Sequence, residues 1–432
     1  MLLVYSENYS ARLTYILKFL FKEVMGCDFR QTTNAEQIKS SNEPKINYSS
    51  RQFENCVCIN PSGLIFENDI HPLQPDVFDF EDTKAFFKTE SSDFPFDIFA
   101  ASFFLLSRYE EYLPFQADIH GRFTAASSLS FKNNFLGQPT VDLWAIHFRK
   151  VLLSKFPSLK FKERSYSFCA TIDVDNVFAC SGKGFFRTLG AFLKSLLKFD
   201  FNTIFERSLV LSGRRKDPFD RYELHEQLAN QYKIDLIYFL LFGSRSRNDH
   251  NVSPQNHKYK NLTRYLATFA ELGIHPSYQS NSESLKMASE IKSLESSSTK
   301  KIFKSRQHFL KMKMPATYRA LIQNGITEDY SMGYASTSGF RASTCTPFYF
   351  FDLAKNEETS LKLFPFSVMD MAFADYMKIS PAEALKEIES VINEVKKVNG
   401  LFIPVWHDRA FSERHYPGWS NAFEEMIKLA TA

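Results

Sequence analysis

The chain has 432 residues, 44% of them hydrophobic, and its formal net charge is +3 at pH 7. This length exceeds one ordinary hydrophobic core, so two domains are expected. The near-neutral charge gives no signature of nucleic-acid binding, and no uninterrupted apolar run of about 18 residues predicts a membrane-spanning helix.

The first residues do not match the pattern of a signal peptide, because Arg12 and Lys18 interrupt the apolar stretch. The six cysteines are scattered, and the Cys56 and Cys58 pair lacks the second pair that a zinc site would need. Reduced thiols of this kind indicate a cytoplasmic protein.

The N-terminal part is predicted to contain a short strand at 2–5, followed by an amphipathic helix that Ser10 can cap. A strongly apolar helical segment at 94–113 ends in the acidic pair Glu110 and Glu111, and another helix is predicted at 139–156. The acidic pair is either catalytic or part of a solvated helix face. Residues 1–162 are therefore predicted to form a smaller α/β or α+β domain of unknown role.

From residue 163 the pattern alternates strand and helix, as a parallel sheet or barrel requires. The first strand of this part, YSFCATIDVD at 166–175, is apolar until it reaches Asp173 and Asp175. Two carboxylates this close predict a divalent cation between them with an adjacent general base. The alternative is that Asp175 and Asn176 cap a helix.

A basic, aromatic-rich helical segment follows at 185–199. It could contact an anionic lipid or glycan surface, but packing of its apolar face on the domain is the favoured interpretation. A second buried strand is predicted at 234–242, and the polar loop at 243–255 is long enough to be a lid or a substrate loop.

Further strands are predicted to end at chemically active residues. These are His275, Arg306 with His308, Asp370 and His407. Because the carboxyl ends of parallel strands converge on one rim, these residues and the two aspartates are expected to share one pocket.

The motifs TIDVD, HPSYQS, SRQHF and PVWHD resemble those of the polysaccharide deacetylases of the NodB-homology group, carbohydrate esterase family four. The resemblance covers about residues 165–410 and is nearest to a bacterial variant with an uncharacterised N-terminal domain. It implies a distorted (β/α) barrel at 163–432, a divalent metal that is usually zinc, and removal of acetyl groups from sugars.

The resemblance also implies a role for each matching residue. Asp173 would be the base and Asp175 and His275 metal ligands, while Arg306 would orient the base. His407 would protonate the leaving amine or alcohol. Asp370 is the best match for the acid that supports this histidine.

One position departs from the family pattern. The second histidine of the H-x-x-x-H metal motif is Gln279 here, so Asp175 and His275 supply only two of the three protein ligands that zinc prefers. His308 is a candidate for the missing nitrogen, and Gln279 itself is a weak neutral ligand. The site could instead hold a harder ion with more waters, bind a metal weakly or bind none.

The expected function is metal-dependent hydrolysis of acetyl groups on N-acetylated sugars or glycan precursors. The sugar pocket is expected to be lined by Ser277, Tyr278, Ser280, Tyr330, Arg341 and Trp406. For Tyr330, Arg341 and Trp406 the alternative is that they only pack the barrel. The rival hypotheses are a decayed barrel that binds a glycan or a partner, and a hydrolase of another non-peptide C–N bond. A carbohydrate partner and no nucleic acid are expected, and the sequence does not indicate an oligomeric state.

Overall fold

The computed structural model describes residues 1–432, apart from the side chain of Ser282. Its strands are β1 (Leu2–Ser6), β2 (Phe29–Thr32), β3 (Lys45–Tyr48), β4 (Val57–Ile59), β5 (Phe78–Phe80), β6 (Thr83–Ala85), β7 (Ser167–Val174), β8 (Asp235–Leu240), β9 (Glu271–Ile274), β10 (Lys304–Ser305), β11 (Glu328–Asp329), β12 (Phe348–Asp352), β13 (Glu357–Leu363), β14 (Val368–Met369), β15 (Leu401–Phe402) and β16 (Pro404–His407).

Its α-helices are α1 (Ala11–Leu17), α2 (Ala35–Ser40), α3 (Ile98–Leu106), α4 (Leu129–Lys132), α5 (Thr140–Lys155), α6 (Phe185–Leu197), α7 (Phe201–Leu211), α8 (Tyr222–Tyr232), α9 (His257–Phe269), α10 (Ser284–Ser298), α11 (Ala316–Gln323), α12 (Pro381–Lys397) and α13 (Trp419–Thr431). Two segments are π-helical, Lys18–Val24 and Ala372–Met377. Where these elements match the sequence pattern, local signals explain them: Ser10 caps α1, and Ser380 with Glu383 forms the capping box of α12.

The N-terminal sheet is small and parallel, in the order β2-β1-β3-β4. The predicted strand at 2–5 is confirmed as β1, and the predicted helix continues from α1 through the π-helical turns to Val24. Gly26 follows with a φ of 63°, and a side chain there would meet Lys162. This glycine therefore allows the chain to turn where it packs against the segment that leads to β7.

The large sheet has the order β12-β13-β11-β10-β9-β8-β7-β16-β14, and β15 also pairs with β7. Its pairs are parallel, apart from the antiparallel hairpin of β12 and β13. This confirms the predicted α/β class with a parallel sheet. The pairings recorded among the described residues do not join β12 to β14, so the closed barrel remains a prediction.

One strand is much shorter than predicted. The strand that was expected to end at Arg306 with His308 is reduced to the two residues of β10, after which Phe309 and Leu310 take left-handed backbone conformations with φ of 60° and 50°. Non-glycine residues rarely adopt this region, so the chain turns sharply here instead of continuing the strand.

The N-terminal part packs directly on the edge of the large sheet. The ring of Phe351 in β12 lies 5.0 Å from that of Tyr15 and 5.1 Å from that of Phe103. Arg341 donates to both carboxylate oxygens of the buried Glu111, at 2.6 and 2.9 Å. Aromatic packing and a buried ion pair therefore join the two parts.

Among the described residues, no helix combines the length and apolar character needed to cross a bilayer. All six cysteines are free thiols.

Candidate active site

The predicted strand-end residues lie together at the carboxyl edge of the large sheet. In the sheet, β10, β9, β8, β7, β16 and β14 are consecutive and parallel, so these strands end on the same side. His407, the last residue of β16, is in register with Asp173 of β7. His275, Arg306 and Asp370 each follow directly on the end of β9, β10 and β14. Sheet topology thus brings together residues that are far apart in sequence.

Three of these residues offer ligand atoms to a common point. Oδ1 of Asp175 lies 3.2 Å from Nε2 of His275 and 3.4 Å from Nε2 of His308. The three ligand atoms all lie within 4.8 Å of one another. An Asp-His-His set of this kind suits a first-row divalent metal such as zinc.

The other nitrogen of each imidazole is already bonded. Nδ1 of His275 donates to the carbonyl oxygen of Arg306 at 2.6 Å, and Nδ1 of His308 donates to Oδ1 of Asp249 at 2.9 Å. When each ring is neutral, these acceptors favour the tautomer in which Nε2 carries the lone pair. Both Nε2 atoms face Asp175.

An orphaned oxygen supports the same conclusion. Oδ1 of Asp175 is buried and has no hydrogen-bond partner among the described residues. A buried carboxylate oxygen that faces two lone pairs is unfavourable unless a cation or a proton lies between them. The residues present therefore fit a divalent metal ion.

Without a metal ion, a proton on His308 supplies the positive charge beside the Asp175 carboxylate. Burial disfavours a charged imidazole, but the carboxylates of Asp175 and Asp249 outweigh it and raise the pKa of His308 to about 9. Burial also opposes ionisation of Asp175, yet the charge on His308 holds the pKa of that carboxyl well below its usual range. A metal ion must displace this proton in order to bind.

Beside the three ligand atoms lies a buried ion pair. Nη1 of Arg306 donates to Oδ1 of Asp173 and to Oγ1 of Thr171, both at 2.8 Å. Oδ2, the second oxygen of Asp173, lies 3.9 Å from Nε2 of His275. Asp173 is thus held beside the candidate metal position with one oxygen fixed by the arginine.

A second supported histidine completes the group. Nδ1 of His407 donates to Oδ1 of Asp370 at 2.6 Å, and the backbone N–H of His407 donates to Oδ2 at 2.7 Å. Burial opposes protonation of His407, but the Asp370 carboxylate dominates and raises the pKa of the imidazole to about 9. His407 can therefore carry a proton at neutral pH.

These groups border one cavity of about 320 Å³. Asp173, Asp175, His275, His308 and His407 line it together with Arg122, Gln307, Phe309, Leu310, Ala335, Met369, Met371, Asp375, Tyr376 and Arg409. The wall is thus apolar and aromatic on part of its surface and strongly polar at the ligand atoms, as is usual for small-molecule sites.

The N-terminal part contributes Arg122 to this cavity. Nη1 of Arg122 donates to the carbonyl oxygen of Phe309 at 2.6 Å, and Nη2 donates to the hydroxyl of Tyr376 at 3.1 Å. Its Nε donates to Asp118 at 2.6 Å, which orients the guanidinium. Arg122 therefore braces the turn that directly follows the candidate ligand His308.

Sequence reasoning missed both Arg122 and Asp249. Asp249 lies in the loop at 243–255 that was expected to be a lid or substrate loop, and it supports His308 from there. Neither residue follows a strand, so strand-end reasoning offers no signal for them. Their contacts are tertiary.

The helix-cap alternative for Asp175 is wrong. The next helix, α6, begins ten residues later at Phe185, with Gly184 at its N-cap position. The backbone N–H of Asn176 instead donates to Oδ2 of Asp408 at 2.6 Å. This bond fixes the chain immediately after Asp175, and burial raises the pKa of Asp408 to about 8.

His275 lines the cavity, but the other predicted residues of the HPSYQS segment, Ser277, Tyr278, Gln279 and Ser280, are not among its lining residues. Gln279 is exposed, and its amide oxygen accepts a hydrogen bond from Lys286. The Ser277 hydroxyl donates to Glu290 at 2.6 Å, and the Ser280 hydroxyl donates to the carbonyl oxygen of Ser277 at 2.8 Å. The Tyr278 hydroxyl lies 3.2 Å from Nδ1 of His120. These bonds order the loop after β9, which differs from the substrate contacts that were expected.

Three other expected pocket residues lie elsewhere. Tyr330 stacks on Phe364 and lines a separate cavity of about 550 Å³ that also borders Ile234 and Ala270, before β8 and β9. Arg341 donates a hydrogen bond to Glu111 in a buried ion pair, and Trp406 is buried against Trp419 and Phe423. Their positions match the packing alternative.

Known proteins resemble parts of the chain. A family of unknown function (DUF7033) matches residues 2–157, and no curated protein matches the chain. A solved structure described as a polysaccharide deacetylase from Mycobacterium smegmatis is 14% identical, with a TM-score of 0.42, over 63% of this chain and 85% of that one.

Two further solved structures are similar. One described as a polysaccharide deacetylase from Pseudomonas aeruginosa PAO1 is 11% identical, with a TM-score of 0.39, over 61% of this chain and 84% of that one. A family 4 carbohydrate esterase from Streptomyces lividans in complex with acetate is 8% identical, with a TM-score of 0.29, over 61% of this chain and 91% of that one. At these scores the similarities assign neither activity nor substrate to this chain.

Proposed function

We propose that this protein is a metal-dependent hydrolase that removes acetyl groups from N-acetylated sugars or glycan precursors. The observation that carries the proposal is the arrangement in one cavity of Asp175, His275 and His308 beside Asp173 and His407. Three ligand atoms, a second carboxylate and a protonated imidazole are the groups that metal-assisted amide hydrolysis needs.

The metal proposed is Zn²⁺, held by Asp175, His275 and His308. In this assignment His308 replaces the histidine that the deacetylase motif has at position 279. Three protein ligands leave a position open for substrate or water, which distinguishes a catalytic zinc site from a structural one. Asp249 and the carbonyl of Arg306 support the two imidazoles through Nδ1.

A divalent metal in this position would supply the positive charge that polarises the acetyl carbonyl and acidifies an attacking water. Asp173 accepts the proton of that water, while Arg306 keeps its carboxylate oriented through the bond to Oδ1. His407 donates a proton to the departing nitrogen, and Asp370 positions the imidazole for this transfer.

The cavity wall favours a small acetylated group over a large polar one. Met369, Met371 and Tyr376 offer an apolar surface to an acetyl methyl and a sugar face, while Arg409 and Asp375 offer polar atoms for hydroxyls. At about 320 Å³ the cavity is at the lower end of the range of small-molecule sites, which is consistent with one sugar residue at a time.

The organisation proposed is a deacetylase-like barrel at 163–432 preceded by a separate domain at 1–162. The family match to the first part ends at residue 157, and β7 begins at Ser167. A cytoplasmic location is proposed on the ground that the cysteines are free thiols.

The test is acetate release from N-acetylated sugars and their oligomers, with cyclic amides in parallel. The metal is first removed with a chelator and then restored as Zn²⁺. We expect activity to depend on the metal and on acetylated sugars. A protein that binds no metal and releases no acetate would instead support the decayed-barrel hypothesis, and turnover of cyclic amides alone would support hydrolysis of another C–N bond.

Asp173→Asn tests the base. We expect a rate loss of about 10²- to 10⁴-fold with zinc content unchanged, because Asp173 is not one of the three proposed ligands and its free oxygen, Oδ2, lies 3.9 Å from Nε2 of His275. The variant is also expected to be less stable, because Arg306 is fully buried and would lose its counter-charge. The assay is therefore run well below the melting temperature of the variant, and unchanged turnover would reject the assignment.

A further inference from the structure

The hairpin of α6 and α7 exposes an unusual amount of apolar surface. Of the 19 large hydrophobic side chains that are exposed among the described residues, ten belong to this hairpin. They are Phe185, Phe186, Leu189, Leu193, Leu196, Leu197, Phe199, Phe201, Phe205 and Leu211. Exposed apolar patches of this kind are rare on soluble proteins and mark interaction sites.

The packing of α6 is inverted relative to an ordinary surface helix. Phe186 and Leu197 are 86% and 81% exposed, while Ser195 is buried. Arg187 also points inward, where Nη2 donates to the carbonyl oxygen of His250 at 3.1 Å. The expectation that this segment packs its apolar face on the domain is therefore wrong, because the polar face makes the inward contacts.

The hairpin is also strongly basic. Residues 183–216 contain eight Lys and Arg and two acidic residues, a net charge of +6 in a chain whose total is +3. Both acidic residues, Asp200 and Glu206, pair with Arg414 at 3.0 Å, outside the hairpin. Lys194 and Lys198 are exposed beside Leu193 and Leu197. Positive charge and apolar side chains thus share one exposed surface.

The hairpin follows the carboxyl end of β7, at the same edge of the sheet as the candidate site. It is inserted directly after β7, whose end carries Asp175. The carboxylate of Asp217 accepts hydrogen bonds from the backbone N–H groups of Ala179, Cys180 and Ser181, at 2.7 to 2.9 Å. These bonds close the base of the insertion and hold its two ends together.

We propose that this hairpin docks the protein on the surface of an anionic lipid bilayer. Phenylalanine and leucine side chains would enter the boundary between headgroups and acyl chains, while Lys194 and Lys198 would contact the lipid phosphates. A second copy of the chain fits less well, because a face-to-face dimer would bring the exposed Lys194 and Lys198 of both copies together. Docking of this kind does not depend on the proposed hydrolysis.

The test is co-sedimentation of the full chain with vesicles. Vesicles of phosphatidylcholine alone are compared with vesicles that also contain phosphatidylglycerol, at low and high salt. We expect binding to the phosphatidylglycerol vesicles that weakens as salt rises, since salt screens the electrostatic part. Equal sedimentation of the protein in the presence and in the absence of the vesicles that contain phosphatidylglycerol would overturn the proposal.

Two hairpin variants separate the contribution of the apolar side chains to vesicle binding from that of the basic side chains. The triple variant Phe186→Ser, Leu193→Ser, Leu197→Ser is expected to bind more than about 100-fold more weakly, because three large apolar side chains no longer enter the interface. The variant Lys194→Gln, Lys198→Gln is expected to lose about 30-fold, since each basic residue near an anionic surface contributes about fivefold.

The control is Leu285→Ser, Phe303→Ser, which removes exposed apolar side chains outside the hairpin, of which Leu285 is 89% exposed. It should bind vesicles as the unmodified protein does.

Sedimentation velocity without lipid tests whether the hairpin instead forms a dimer. A monomer is expected, and a dimer that dissociates when the triple variant is introduced would overturn the proposal. Retention of vesicle binding by the triple variant would do the same.

Discussion

Nε2 of His308 lies 3.4 Å from Oδ1 of Asp175, although β10 and β7 are separated in the sheet by β8 and β9. The chain turns at Phe309 and Leu310 directly after the histidine. This relationship gives the candidate site a third possible ligand atom besides those of Asp175 and His275.

His308→Ala should therefore remove the metal, whereas Gln279→Ala should not. We expect His308→Ala to weaken zinc affinity by more than the roughly 10- to 100-fold that loss of a supporting hydrogen bond causes. Gln279 is the matched control, since it is exposed and bonded to Lys286. Affinity is measured by competition with a chromophoric chelator, and the reverse ranking of the two variants would reject His308 as a ligand.

Zinc affinity should depend on pH through the same histidine. The pKa of His308 in the metal-free protein is about 9, so below that pH one proton competes with the metal. Apparent affinity should fall about tenfold for each unit of pH below this value and level off above it. Isothermal titration in buffers of different ionisation enthalpy should detect release of about one proton on binding at pH 7. Affinity that is flat with pH would contradict this linkage.

Asp370→Asn should shift the basic limb of the pH–rate profile. His407 donates as imidazolium, so kcat/KM should fall as pH rises through its pKa, which is about 9 without metal and lower beside a bound cation. Loss of the Asp370 charge should move this limb down by about 1 to 3 pH units. Asp375→Asn is the control, because Asp375 pairs with Arg409 and Tyr416 instead. An unmoved limb in Asp370→Asn would exclude His407 as the titrating acid.

Arg122→Ala should weaken both metal affinity and turnover, although Arg122 contacts no ligand atom. Its bond to the carbonyl oxygen of Phe309 holds a left-handed turn next to His308, and such turns persist only when their surroundings fix them. We expect a loss of about 10- to 100-fold in zinc affinity, as for other supporting contacts.

The control for this variant is Arg51→Ala, which breaks an exposed pair with Glu7 in the N-terminal part. It should leave zinc affinity and turnover unchanged. If Arg122→Ala changes KM alone and retains full zinc affinity, Arg122 contacts substrate and does not position the turn.

Much of the site was predictable because strand ends in a parallel sheet converge. An apolar run that stops at Asp173 and Asp175, and another that stops at His407, place these residues at one edge before any coordinates are known. The α/β class followed from the same alternation of strands and helices. Local signals such as the capping box at Ser380 also fixed helix boundaries.

The expected pocket walls were less predictable. Tyr330 and Trp406 lie on or next to strands, and sequence does not show which face of the sheet each side chain occupies once strands are as short as two residues. Arg341 was expected beside the sugar, but its partner Glu111 comes from the N-terminal part. Pairings between distant segments leave no periodic signal.

The sequence by itself determined the class of fold, the edge of the sheet that carries the chemistry and most of the residue types found there. Only the tertiary structure decided that Nε2 of His308 lies beside Asp175 and His275, that Arg122 and Asp249 support this part of the chain, and that α6 turns its apolar face outward. The physical reason is that strand and helix patterns follow from local periodicity, whereas ligand geometry depends on turns and contacts between segments that are distant along the chain.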